Sequence, residues 1–321
     1  MENTASAANP QVSVIMPSYN TAHLIAASLD SVLHQTFSDF EIIVVNDGSP
    51  DTKDLEIVLK PYQSRIVYVQ QENKRAAGAR NTAIAEARGE FLAFLDSDDT
   101  WLPDHLALQM QLFKEDPALD LVYSNCLLVG DPRHPDEFMS RCPSQGPATF
   151  LTLVVEQCQI PISTVVARKT ALARAGFFDE NLARCDDYDM WVRAAFHGAK
   201  IGYTRRVQAR LADGRPGSLG TSSARMTEAY WKILQKLDRT LPLTDNDRDV
   251  VRKRSNEVRG MYLLEEGKLN LRQGQFAEAK SLFSEANSYL RRRKVSLVLF
   301  GLSISPTATK CLASVVDRIR E

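Results

Sequence analysis

Asp96, Asp98 and Asp99 place three carboxylates within four positions, directly after the apolar run Phe91–Leu95 in "EFLAFLDSDDTWLP". Like charges at that density repel, and a divalent cation is a partner that relieves them. Hard oxygen ligands favour Mg²⁺ or Mn²⁺, which take one or two protein carboxylates and complete their shells with water and phosphate oxygens. A strand-end acidic cluster can therefore present a cation to a diphosphate. The plainer reading is a cap, because Asp99 precedes "TWLPDHL" and could cap a helix there.

Other polar groups sit at comparable places. "PSYN" brings Pro17, Tyr19 and Asn20 after the apolar run Val12–Met16, and "NDGS" brings Asp47 and Gly48 after Glu41–Val45. A further acidic pair, Asp186 and Asp187 in "RCDDYDMW", reads as a helix start, where acids suit the helix dipole. Arg80, in "GARN", is basic within an Ala-rich helical stretch.

The elements that must position these groups follow from periodicity. Val12–Met16, Glu41–Val45, Arg65–Gln70 and Phe91–Leu95 read as strands. Between them lie helical periods: one after Asn20, taken as an N-cap; one around "DLEIVLKPY"; and one ending at Gly89, taken as a C-cap. That alternation predicts βαβ units and a largely parallel sheet, whose ligands bind at the carboxyl ends of the strands. The polar clusters should therefore converge on one rim. "LVYSN" reads as another strand, "ISTVVARKTALARAGFF" as a strand entering a helix, and "DGRPGS" as a loop.

Beyond about residue 224 only helical periods remain, which predicts an all-α region over 223–321. Gly267, Gly274, Phe276, Ala279, Phe283 and Ala286 fall at the spacing of one tetratricopeptide-like hairpin over about 259–289. The run "VSLVLFGLSI" is too short to span a bilayer and follows "RRRK", Arg291–Lys294. That pairing suits either a membrane surface or a packed helix with a solvated basic flank.

Composition narrows the class. The chain has 321 residues, 44% apolar and 25% charged, which is ordinary for a globular protein, and residues 1–10 read as a disordered N-terminus. A net charge of −1 gives no basic excess for nucleic acid. Five cysteines without a CxxC pair point to a reducing compartment rather than to disulfides or zinc. His105, His134 and His197 show no ligand spacing, and neither a Walker A loop nor GxGxxG is present.

In order, "VSVIMPSYN", "SVLHQTFSDFEIIVVNDGS", "NKRAAGARNTAI", "GEFLAFLDSDDTW" and "CDDYDMWVR" resemble the family 2 glycosyltransferases over about residues 10–220. The resemblance implies a GT-A fold: a Rossmann-like mixed, mainly parallel sheet flanked by helices, here spanning 11–222 and followed by the all-α C-terminal region. It implies a metal-dependent, inverting transfer of a sugar from a nucleotide-sugar, with UDP favoured over dTDP or GDP. The acceptor would be a hydroxyl of a glycan or lipid-linked sugar, as in cell-envelope polysaccharide biosynthesis. Pro17, Tyr19 and Asn20 would line the nucleotide pocket, with Asp47 and Gly48 at the base and Arg80 near base or diphosphate. Asp96, Ser97 and Asp98 would face the ribose and the metal, and Asp98 or Asp99 would ligate Mn²⁺ or Mg²⁺. Asp187 matches the family's catalytic base, and Asp186 replaces its usual glutamate. Arg215 of "RPGS" would close over the phosphates.

Two rivals are weighed. A nucleotidyltransferase would need a Gly-rich basic signature near the first strand, which "MPSYNTAHL" lacks. A catalytically inactive GT-A-like module that binds nucleotide-sugars would act through its helical tail; the intact acidic motifs speak against it. The expected location is cytoplasmic, with the C-terminal helices open to a peripheral contact at the inner membrane face or to a protein partner.

Overall fold

The computed structural model describes residues 9–130, 136–142, 144–212 and 223–304. The chain divides into two compact units, Met1–Arg215 and Pro216–Glu321. In chain order the first unit holds β1 (Val12–Ser18), α1 (Ile25–Leu33), β2 (Phe40–Asp47), α2 (Thr52–Leu59), β3 (Val67–Gln71), α3 (Arg75–Glu86) and β4 (Phe91–Phe94). It continues with β5 (Thr100–Trp101), α4 (His105–Glu115), β6 (Leu121–Val129), β7 (Asp136–Glu137), α5 (Phe138–Arg141), α6 (Phe150–Val154), β8 (Val166–Arg168), α7 (Lys169–Arg174), α8 (Asp186–Phe196) and β9 (Ile201–Ala212).

These strands form one mixed sheet in the order β3-β2-β1-β4-β8-β6-β9-β5, with β7 paired to β6. The long pairings, β1 with β2 and β4, β2 with β3, and β6 with β9, are parallel; β8, β5 and β7 join antiparallel. Strand β1 is apolar along nearly its whole length because both sheet faces are covered. Val12, Val14 and Met16 pack with Ile25 and Leu29 of α1, Leu55 of α2 and Leu106 of α4 on one side. On the opposite face α3 lies against β1 and β2. There Phe94 of β4 meets Trp191 of α8 edge-on at 5.8 Å and Phe178 at 5.6 Å. Aromatic pairs of this geometry contribute about 0.5–1.5 kcal/mol each beyond burial, and this trio ties α8 to the end of β4.

At the amino ends of the strands, Glu41 is buried and accepts hydrogen bonds from Ser13 Oγ at 2.7 Å and from Arg88 Nη2 at 2.7 Å. Burial works against that charge, but the backbone and side chain of Arg88 and the Ser13 hydroxyl hold its carboxyl below the usual glutamate value.

Several local expectations are corrected. Asn20 does not cap α1: its backbone is left-handed (φ 55°), its N–H donates to Ser49 Oγ at 2.6 Å, and the helix begins five residues later. Helix α3 ends at Glu86 with Ala87 as its C-cap. Gly89 serves close packing instead, since a Cβ there would lie 2.7 Å from the Ser13 nitrogen. Strand β9 carries little apolar period because it is a partly exposed ribbon, with Arg205 and Arg206 in its middle and only three of its residues buried.

The second unit contains α9 (Ser223–Thr240), α10 (Asp245–Arg272), α11 (Phe276–Leu290) and α12 (Arg293–Ile304). Helices α10 and α11 form the hairpin around the turn at Gly274 (φ 79°). Gly267 seats the Phe283 ring, which would stand 2.7 Å from a Cβ at that position. No helix among the described residues is long and apolar enough to cross a membrane.

Candidate active site

Parallel pairing brings the carboxyl ends of β3, β2, β1 and β4 to one rim, with neighbouring strands about 4.8 Å apart. Side chains then stitch the loops along that rim. Asp47, at the end of β2, is buried and accepts hydrogen bonds on Oδ1 from Gln71 Nε2 (2.6 Å) and from the Lys74 N–H (2.7 Å). It thereby ties β2 to the end of β3 and to the start of α3. Its neighbour Gly48 is left-handed (φ 62°), and a Cβ there would fall 2.7 Å from the Asn73 nitrogen. Asn46 is structural: it accepts from the Ser49 N–H and donates to Thr52 and Tyr68.

Between β1 and β4 runs a buried hydroxyl chain, Ser18 to Thr21 at 2.9 Å and Thr21 to Ser97 at 2.8 Å. Beside it, Tyr19 and Asn20 are exposed and Pro17 is half-buried. Tyr19 is 53% exposed, so its ring is presented rather than packed.

The centre of the site is Arg80 on α3. Its guanidinium is buried and bridges two carboxylates, Nη1 to Asp186 Oδ2 at 2.5 Å and Nη2 to Asp96 Oδ1 at 2.8 Å. It also lies 5.6 Å from the centroid of the Phe178 ring. Burial disfavours its charge, but Asp186, Asp96 and Asp187 more than offset that and raise its pKa above the ordinary arginine value. A fully charged strut thus joins the loop after β4 to the start of α8.

Helix α8 opens after Cys185, whose backbone is left-handed (φ 57°), and carries Asp186, Asp187 and Asp189 in its first turn. Asp189 is buried in an ion pair with Arg193 at 2.8 Å, and Arg193 donates to the Phe177 carbonyl at 2.7 Å. Asp186 is buried against Arg80, whereas Asp187 is half-buried. Burial, and then the Asp186 charge, push the Asp187 carboxyl up to about 6, while Arg80 and the Tyr188 N–H pull the other way.

The three aspartates after β4 have separate surroundings. Asp96 faces Arg80. Asp99 is buried with both oxygens engaged: Oδ2 accepts from Ser163 Oγ at 2.5 Å and Oδ1 from the Ala212 N–H at 2.9 Å. Burial, Asp98 and Asp96 push its carboxyl well above the ordinary aspartate value, against those two hydrogen bonds. Asp98 is half-buried between them in sequence.

Ser163 was not visible as a site residue in the sequence. It sits in a short 3₁₀ turn, Ile162–Thr164, and its hydroxyl also accepts from the Asp96 N–H at 3.1 Å. Its carbonyl accepts from Trp101 Nε1 at 2.6 Å. The Pro-Ile-Ser-Thr run beside it is the one sequence signal, and it is a weak one.

Asp186, Asp96 and Asp187 act on the Arg80 guanidinium, and Asp96 with Asp98 acts in turn on Asp99, so the carboxylates along this rim outnumber the one arginine that bridges two of them. That excess of negative charge suits a divalent cation. Among the described residues no three of His, Cys, Asp or Glu are placed to hold an ion together, so such a cation would take one or two carboxylates and complete its shell elsewhere. Asp47 has no direct link to these carboxylates; it holds the start of α3, the helix that carries Arg80, through the Lys74 N–H. Arg215 and His134 lie outside the described residues. His105 is buried, stacked on Trp101 at 4.4 Å, and burial holds its pKa down at about 3, which makes it a core group. No disulfide links the described cysteines.

Residues 13–166 match the profile of Glycosyl transferase family 2. The chain is 37% identical over 182 residues to the Escherichia coli UDP-Glc:alpha-D-GlcNAc-diphosphoundecaprenol beta-1,3-glucosyltransferase WfgD, covering 56% of this chain and 68% of that protein. It is 32% identical over 199 residues to WfaP, an E. coli enzyme of the same description, covering 61% and 74%. Among solved structures, S. aureus TarS 1-349 in complex with UDP-GlcNAc superposes with a TM-score of 0.62 at 19% identity, covering 97% of this chain and 91% of that one. The mannosyltransferase PcManGT from Pyrobaculum calidifontis, in complex with GDP-Man and Mn²⁺, gives 0.62 at 19% identity, covering 97% and 86%. With a GT-A type sheet, a rim of carboxylates bridged by one arginine and relatives of this kind, the chain belongs to the family 2 glycosyltransferases.

Proposed function

We propose that the protein transfers a sugar from a UDP-linked donor, with inversion, to a hydroxyl of a lipid-linked glycan, with Asp187 as the general base. The observation that carries this reading is the contrast between neighbours: Asp186 is spent on Arg80, while Asp187 is half-buried and its carboxyl is raised to about 6. A base works best when its pKa lies near the operating pH. The UDP donor and the lipid-diphosphate acceptor are supported by the activities of the relatives WfgD and WfaP.

Tyr19 would lie against the base, and Asp47, with both hydrogen bonds on Oδ1, would turn Oδ2 to an imide N–H. Arg80 fixes Asp96 and Asp186 and so sets where Asp187 stands. Asp187 takes the proton from the acceptor hydroxyl as its oxygen attacks the anomeric carbon. The bond from that carbon to the donor phosphate oxygen breaks on the opposite face, its electron pair leaves with UDP, and the configuration inverts. A Mn²⁺ or Mg²⁺ ion, held by Asp98 or Asp99, would neutralise the diphosphate.

The test is release of nucleotide from a panel of UDP-, dTDP- and GDP-sugars with Mn²⁺ and the purified protein. UDP should appear, and Asp187→Asn should keep UDP affinity while losing turnover by about a hundredfold or more. Transfer by that variant at the wild-type rate removes Asp187 as the base. In calorimetry, Asp98→Ala should make UDP affinity indifferent to Mn²⁺; an unchanged response removes the metal role.

A further inference from the structure

Helix α12 is apolar on two opposite sides. Val295, Val298 and Leu302 are buried and pack on the core shared with α10 and α11. Leu297, Phe300 and Ile304 point the other way, 71%, 67% and 69% exposed. At 3.6 residues per turn these three and Arg293 fall within an arc of about 60°, roughly opposite the buried stripe. A surface helix ordinarily turns polar residues outward, so an outer stripe of Leu, Phe and Ile is a candidate docking face.

We propose that this face docks on an anionic lipid surface, with α12 lying flat in the headgroup region. Charge complementarity selects that occupant. Arg291, Arg292, Arg293 and Lys294 lead into the helix, and no acidic residue occurs from 291 to 304. Basic residues beside an apolar stripe are what an anionic bilayer attracts, the cations taking the phosphates and the apolar side chains entering the acyl boundary. A second copy of the helix supplies no carboxylate for those cations. The stripe also exposes only on the order of 400 Å², about half of what each partner contributes to a stable protein interface. Helix α12 has 12 residues and is about 18 Å long, which suits lying on a membrane and is too short to cross one. None of these residues belongs to the carboxylate site, so the inference stands apart from the donor chemistry.

The test is co-sedimentation of the full chain with vesicles, without donor, using phosphatidylcholine alone or with about one-third phosphatidylglycerol. The wild type should bind the anionic vesicles and bind the neutral ones far less. Leu297→Ser, Phe300→Ser and Ile304→Ser together should lower partitioning by about tenfold or more, with helical content and UDP release in solution unchanged. Arg291→Gln with Arg293→Gln should weaken anionic binding and leave neutral binding as it was. Three results overturn the proposal: a wild type that ignores anionic vesicles, a triple variant that binds like wild type, or light scattering that shows a wild-type dimer dispersed by the triple variant. The last result assigns the stripe to a second copy.

Discussion

Replacing Arg80 by Gln removes the guanidinium that faces Asp186, Asp96 and Asp187. Arg80 touches Asp186 at 2.5 Å and Asp96 at 2.8 Å, and its charge also pulls the Asp187 pKa down. An opposite charge at such range typically shifts a carboxylate by one to three units. Arg80 ranks behind burial and Asp186 among the influences on Asp187, so the lower part of that range applies and its loss should move Asp187 from about 6 to roughly 7–8. A base must be ionised to act, so activity is lost as pH falls through its pKa. The acid limb of kcat/KM, which reports groups in the free enzyme, should migrate upward by one to two units, with much of the rate recovered above pH 8. Stability should fall by about 3–5 kcal/mol, because a buried pair loses one partner and leaves charge uncompensated. Arg80→Lys keeps the charge but not the two-pronged geometry, and its limb should lie between those of wild type and Gln. The assay is UDP release against pH at subsaturating donor, with urea unfolding run in parallel. An Arg80→Gln enzyme whose acid limb stays near 6 would refute the coupling of this arginine to the base.

Three further outcomes follow from the same geometry. Because the Asp187 pKa rises from 3.8 to about 6 on folding, its contribution to stability is complete below about pH 4 and is lost as pH climbs through 6. Asp187→Asn should therefore be more stable than wild type at pH 8 by about 1–3 kcal/mol, with the gain vanishing near pH 4 in urea titrations. Ser163→Ala deprives Asp99 and the Asp96 N–H of a buried partner; it should cost about 1–3 kcal/mol in stability and lower kcat more than it raises KM for the donor. Gly267→Ala sets a methyl against the Phe283 ring and should lower the thermal midpoint of the helical unit by the equivalent of about 1–3 kcal/mol, while UDP affinity of the first unit stays unchanged.

Strands β1, β2 and β4 were legible because each is a short, largely apolar run buried on both faces, β3 because β-branched and aromatic residues alternate along a partly exposed edge, and the intervening helices carry their own period. Parallel order then follows, and with it the gathering of Tyr19, Asp47 and Asp96 on one rim, since parallel strands deliver all their carboxyl ends to the same side. The hairpin of α10 and α11 was legible for a similar local reason: small residues recur where a large ring must seat. What the aspartates do to one another was not legible. Carboxylates look alike along a chain, and their roles diverge only through partners 16 to 113 residues away: Arg80 for Asp96 and Asp186, Ser163 and the Ala212 N–H for Asp99. Residue types and local periodicity determined which groups reach the rim. Only the tertiary structure decided which carboxylate is neutralised by a guanidinium, which is tied off by hydrogen bonds and which has its pKa raised, because charge acts through space and the chain supplies that space only when folded.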